Sequence, residues 1–86
     1  MSKLRVLIVE DEPVIAENIS MYLDNNDFEV SGIAYDSDEA NDQLQNNTPD
    51  AAILDVNLES GEDGIDIATR INQKYQIPFL FLTSYS

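Results

Sequence analysis

Cysteine and histidine are both absent from these 86 residues. Their absence removes disulfides, thiol nucleophiles, Ser-His-Asp triads and Cys/His zinc or haem sites. A metal bound here must sit on oxygen ligands, which points to magnesium, calcium or manganese. Cations are scarce as well. Four Lys and Arg stand against seventeen Asp and Glu, a formal charge of −13. Such a surface repels phosphates, which argues against nucleic acid and against anionic membranes. No apolar run approaches the roughly 20 residues of a membrane helix. The start, Met1-Ser2-Lys3-Leu4, lacks the apolar stretch of a signal peptide, so a cytoplasmic location is expected. The triplets Asn18-Ile19-Ser20 and Asn46-Asn47-Thr48 then read as chance matches to a glycosylation signal.

What is present supports one small domain. Hydrophobic residues make up 43% of the chain, enough for a core. A chain of this length hides only about 60–65% of its extended-chain surface, so modest stability is expected. Residues 4–9 are short, apolar and β-branched, the pattern of a strand buried on both faces. Glu10-Asp11-Glu12 follows, and Pro13 suits the first turn of a helix. Ile15, Ile19, Tyr22 and Leu23 recur at helical spacing and predict its apolar face. Asp24-Asn25-Asn26-Asp27 reads as a stop and a turn.

Residues 28–34 predict a second, more polar strand, at an edge. Asp36-Ser37 supplies capping chemistry for a polar helix through Leu44. Residues 51–54 predict a third buried strand ending on Asp55. An acidic loop with Gly61 leads to a third helix from about Gly64, with Ile65, Ile67, Ala68 and Ile71 as its apolar positions. Residues 79–82 predict a fourth buried strand, ending on Thr83. Alternation of this kind predicts an α/β fold, a doubly wound parallel sheet with helices on both faces.

Three of these strands end alike, a hydrophobic run followed by a polar group: Glu10-Asp11, Asp55 and Thr83. In a parallel sheet the carboxyl ends of the strands share one edge, where ligands bind. If the first strand lies beside the third, Glu10, Asp11 and Asp55 converge. Two unit charges about 4 Å apart repel by roughly 4 kcal/mol at an effective dielectric of 20. A cation relieves that. Lys3 and Arg5 begin the first strand, at the opposite edge, and Arg70 and Lys74 lie late in the third helix. A divalent metal on one or two carboxylates is therefore the expected partner.

The chain resembles the receiver domain of two-component response regulators. The resemblance rests on Val9-Glu10-Asp11-Glu12, Leu54-Asp55, Asp63-Gly64, and Ile77-Pro78 with Leu82-Thr83, in that order along the whole chain. It implies the flavodoxin-like, CheY-like strand order 2-1-3-4. The family's fifth strand, with its lysine and switch aromatic, and the last helices lie beyond Ser86, so the chain is expected to be the N-terminal portion of a receiver domain, residues 1–86, truncated after its fourth strand. By resemblance Asp55 is the phosphoacceptor, taking a phosphoryl group from a sensor histidine kinase, a phosphotransfer protein or a small acyl phosphate. Glu10 and Asp11 hold Mg2+, with Asp55 and the main-chain carbonyl of Asn57 as further ligands. Thr83 donates its hydroxyl to a phosphoryl oxygen, and an output domain beyond Ser86 reads the change. The loop after Asp55 lacks the family's usual proline and is about one residue longer.

Plainer readings stand beside these. Glu10-Asp11-Glu12 suits a solvated helix N-terminus, and Asp55 a turn at a strand end. Glu59 to Asp63 lacks the ligand spacing of a calcium loop. A dehalogenase-like phosphatase would need an acid where Asn57 stands. A nucleotide or flavin module would need a Gly- or Ser-rich loop where Glu10-Asp11-Glu12 stands. A phosphorylation-independent interaction domain remains the alternative function. An open fourth strand carrying Phe79 and Phe81, with the Ile15, Ile19 and Leu23 helix face, predicts self-association.

Overall fold

The computed structural model describes residues 3–56 and 64–82. Strand β1 (Arg5–Val9) leads to helix α1 (Pro13–Asn25) and strand β2 (Glu29–Ala34). Helix α2 (Ser37–Asn46) and strand β3 (Ala51–Asp55) follow. Helix α3 (Gly64–Arg70) runs on into a π-helical segment (Ile71–Tyr75), and strand β4 (Phe79–Leu82) comes last. The four strands form one parallel sheet in the order β2-β1-β3-β4. The fold class, topology and edge position of β2 agree with expectation. No described helix is long and apolar enough to cross a membrane.

The sheet is covered on both faces, as alternation along each strand requires. Leu7, Val9, Ala52 and Leu54 pack with Ala40 and Leu44 of α2 and with Ile67, Ala68 and Ile71. Val6 and Ile8 pack on the opposite side with Ala16 and Leu23 of α1, bordered by Ile19, Phe28, Ile33 and Ile53. Strand β1 therefore reads as a continuous apolar run with both faces covered, whereas Ile53 of β3 is only partly buried.

Local chemistry sets the helix ends. Pro13 opens α1 at a position where its missing N–H costs nothing. Asp27, at φ 67°, turns the chain after it. The Asp36 carboxylate accepts the Glu39 N–H at 2.8 Å, and Glu39 Oε1 accepts the Tyr35 N–H at 2.7 Å, so two otherwise unbonded donors at the start of α2 are satisfied. Arg5 ties the other end of the sheet together. Its N–H reaches Asp50 Oδ2 at 2.9 Å, its guanidinium reaches Thr48 O at 3.1 Å and Asn47 Oδ1, and Glu29 lies at 3.7 Å.

Three expectations need correction. Tyr22 is 66% exposed, and Ala16 takes the inner face of α1, since the buried stripe runs through Ala16, Ile19 and Leu23. Ile65 is exposed too, because α3 turns Gly64, Ile67 and Ala68 inward. Strand β4 is not buried on both faces: Leu80 is 69% exposed and Phe81 43%. Among the described residues nothing pairs with its outer edge, so hydrophobicity alone did not bury it.

Candidate functional site

The site forms where β1 and β3 end. Their parallel register closes on Val9 opposite Leu54, so Glu10, just past β1, and Asp55, the last residue of β3, stand side by side. Glu10 is held by its own N–H, which donates to Ala34 O of β2 at 3.0 Å. Asp55 pairs with Leu82 of β4, and the Val56 N–H donates to Leu82 O at 3.4 Å. The result is a carboxylate group from adjacent strands. One oxygen each of Glu10, Asp11 and Asp55 lies within 4.8 Å of the others.

Two of the three acids are buried, Glu10 at 2% exposure and Asp55 at 6%. They are the buried charged residues among those described. Burial pushes the Glu10 carboxyl up from 4.5 to about 7, because desolvation disfavours the charged form. Hydrogen bonding to Asp11 and both hydrogen bonding and charge from Asp55 push it the same way, while the Glu12 N–H donating to Glu10 Oε2 at 3.0 Å pulls it down. A buried acid among acids is costly unless a proton or cation joins it. Three converging oxygen donors on two strands meet the demands of a hard divalent cation, so the residues present fit a magnesium-type ion.

The Arg5 side chain stands at the far end of β1, as the sequence suggested, engaged with Thr48 O, Asn47 and Glu29. Arg70 Nη1 donates to Asn41 Oδ1 on α2 at 2.5 Å, and Lys74 Nζ stands 5.6 Å from the Tyr75 ring centroid. Of the residues singled out from sequence, Glu10, Asp11 and Asp55 come together. Asn57 and Thr83 lie outside the described residues, as does the acidic run 59–63.

One participant escaped sequence reasoning as a site residue. Gly64, buried at the start of α3, abuts the backbone of Asp55: a Cβ added there would lie 2.0 Å from Asp55 O and 3.2 Å from Val56 Cα. Its N–H donates to Val56 O at 3.3 Å. The available signal was a glycine in a first helical turn, where Ala is the better helix former. The Glu12 N–H that steadies Glu10 left no signal, because any residue but proline supplies it.

Comparison with known proteins gives a consistent answer. The family model "Response regulator receiver domain" matches residues 6–86. The response regulator PhyR from Brucella abortus superposes with a TM-score of 0.90 at 35% identity, over 96% of this chain and 34% of that one. The signal receiver domain of a modulated diguanylate cyclase from Desulfovibrio desulfuricans G20 gives 0.89 at 30% identity, over 98% of this chain and 67% of the other. PhyR of Bartonella quintana, in complex with the anti-sigma factor NepR, gives 0.88 at 32%, over 98% and 35%. The chain thus spans about a third of these PhyR chains.

Proposed function

We propose that this chain, which belongs to the response regulator receiver domain family, takes a phosphoryl group onto Asp55 and uses it to switch its hold on a partner. The convergence of Glu10, Asp11 and Asp55 at the ends of β1 and β3 carries the reading. An Asp55 carboxylate oxygen attacks the phosphorus of a phosphohistidine on a sensor kinase or phosphotransfer protein. The new O–P bond forms as the P–N bond breaks, and the imidazole nitrogen leaves with the electron pair. The product is an aspartyl phosphate, and hydrolysis returns the carboxylate. Glu10, Asp11, Asp55 and the Asn57 main-chain carbonyl would hold Mg2+. That ion supplies offsetting charge for the phosphoryl oxygens. Thr83 supplies a hydroxyl to one of those oxygens.

No external substrate is turned over in this reading; the chemistry ends on the chain's own side chain. Phosphorylation shifts a two-state population, and the partner or an output domain beyond Ser86 reads it. The NepR complex of Bartonella PhyR, a chain about a third of which this one matches, supports partner binding as an output of a protein that carries such a domain. Self-association along β4 belongs to the same reading, since Leu80 stands exposed beside an edge that is open among the described residues. The deciding experiment is intact mass after incubation with Mg2+ and acetyl phosphate. Wild type is expected to gain one phosphoryl group, and Asp55→Asn none. No gain in wild type, repeated on a protein extended past Ser86, overturns the reading.

A further inference from the structure

We infer that Gly64 is a positioning residue for Asp55: the absence of a side chain lets α3 seat directly on the Asp55 backbone, and that contact sets where the Asp55 carboxylate stands relative to Glu10 and Asp11. The inference rests on the phosphoacceptor reading and deepens it. A Cβ at Gly64 would meet Asp55 O at 2.0 Å, Asp55 C at 2.9 Å and Val56 Cα at 3.2 Å, all of them backbone atoms that cannot swing aside. Any other residue at this position must therefore part α3 from the end of β3 by about 1 Å or more.

The parting falls on Asp55 rather than on the helix. Ile67, Ala68 and Ile71 anchor α3 and its continuation in the core at 0–4% exposure. Asp55 is the last residue of β3, one step past the final pairing with β1 at Leu54, and is laddered only to Leu82. The anchored helix holds its place and the strand end yields. A displacement of about 1 Å at a reacting group can reduce its rate about a hundredfold.

The test compares Gly64→Ala with Thr69→Gly in the full chain. Thr69 is on the exposed side of the same helix, its hydroxyl donating to Ile65 O at 2.9 Å, so its loss weakens α3 away from Asp55. Two quantities are read by NMR: the carbon-13 carboxyl shifts of the metal-free protein, and the Mg2+ dissociation constant. In Gly64→Ala the Asp55 carboxyl and the Asp55 and Val56 amide signals are expected to move. Mg2+ binding should weaken roughly tenfold and acetyl-phosphate labelling slow about a hundredfold. Thr69→Gly should leave all of these as in wild type. Unmoved Asp55 signals in Gly64→Ala, or equal losses in Thr69→Gly, overturn the inference.

A wild type that binds no Mg2+ and takes no phosphoryl group sinks the phosphoacceptor reading instead, while the metal-free carboxyl shifts still decide the placement of Asp55. Should Gly64→Ala fail to fold, wild type carries the test through reciprocity: an ion that needs the contact must also strengthen it. Saturating Mg2+ is then expected to slow hydrogen exchange of the Gly64 N–H, and unchanged exchange overturns the inference.

Discussion

Glu10 sits where a carboxylate is least comfortable, at 2% exposure, beside Asp11 and Asp55, and with a carboxyl pushed up to about 7. The folded state therefore holds the Glu10 proton more tightly than the unfolded chain does. This group's contribution to stability is complete below about pH 4.5 and is lost as pH rises through 7. Urea unfolding of metal-free protein between pH 4.5 and 8 is expected to show that decline in wild type and a flatter profile in Glu10→Gln. Identical slopes would remove Glu10 as the cause. The same logic gives the metal dependence. Mg2+ competes with the proton, so it should raise the unfolding temperature clearly at pH 7.5 and little at pH 5. Asp55→Asn should blunt the rise at pH 7.5, measured by thermal melts with and without the ion. That three acids meet at the strand ends was legible in the way apolar runs stop on Glu10-Asp11 and on Asp55. The role of Gly64 was not, because a close approach of two backbones appears only once α3 and β3 are packed.

Caps and turns explain why the elements stop where they do. Asp36 accepts the Glu39 N–H at 2.8 Å, and Asp36→Ala should cost about 1 kcal/mol in urea denaturation with no change in Mg2+ affinity, since α2 supplies none of the three carboxylates. A cost within error would mean water replaces the cap. The π-helical segment ends on Gln76, held left-handed at φ 55° with its N–H donating to Ile71 O at 2.6 Å. Glycine adopts that conformation without steric penalty, so Gln76→Gly is expected to stabilise the fold by up to about 1 kcal/mol. Destabilisation would show that the Gln76 side chain contributes more than its backbone strain removes. Capping at Asp36-Ser37 was readable from residue type. The switch from α- to π-helical hydrogen bonding at Ile71 was not, because Ile71, Asn72 and Gln73 carry no local signal for it.

At the scale of the molecule, a strongly acidic chain carries an apolar groove. Between α1 and β4 lies a cleft of about 630 Å³, lined by Ile19, Tyr22, Leu23, Ile53, Leu80 and Leu82 among others. The open edge of β4 runs along it among the described residues, and such an edge pairs readily with another strand. Opposing this is a charge of −13 on every copy, which salt screens. Light scattering is expected to show mass rising with protein concentration and with ionic strength, and Leu80→Lys should hold the protein monomeric. A constant monomer mass at high salt would show that charge is not what limits pairing and that the β4 edge does not self-associate. The open edge of β4 was expected from sequence, but the exposure of Leu80 and Phe81 was not, for a general reason. An apolar run such as residues 79–82 reports that a strand prefers cover, and cannot report whether a neighbour supplies it.

Much of this protein is determined by the order of its residues alone. Alternating apolar runs and helical stripes dictate a parallel α/β sheet, since parallel strands need crossovers and crossovers need covered faces. The lack of Cys and His confines any metal to oxygen ligands. Tertiary structure decided the rest. The adjacency of β1 and β3 places Glu10 against Asp55 across 45 positions of chain, a non-local pairing that no window of sequence contains. It also turned Ala16 inward and Tyr22 outward, and seated Gly64 on the Asp55 backbone. Periodicity specifies that a helix has an inner face, but only the partner surface selects which residues fill it.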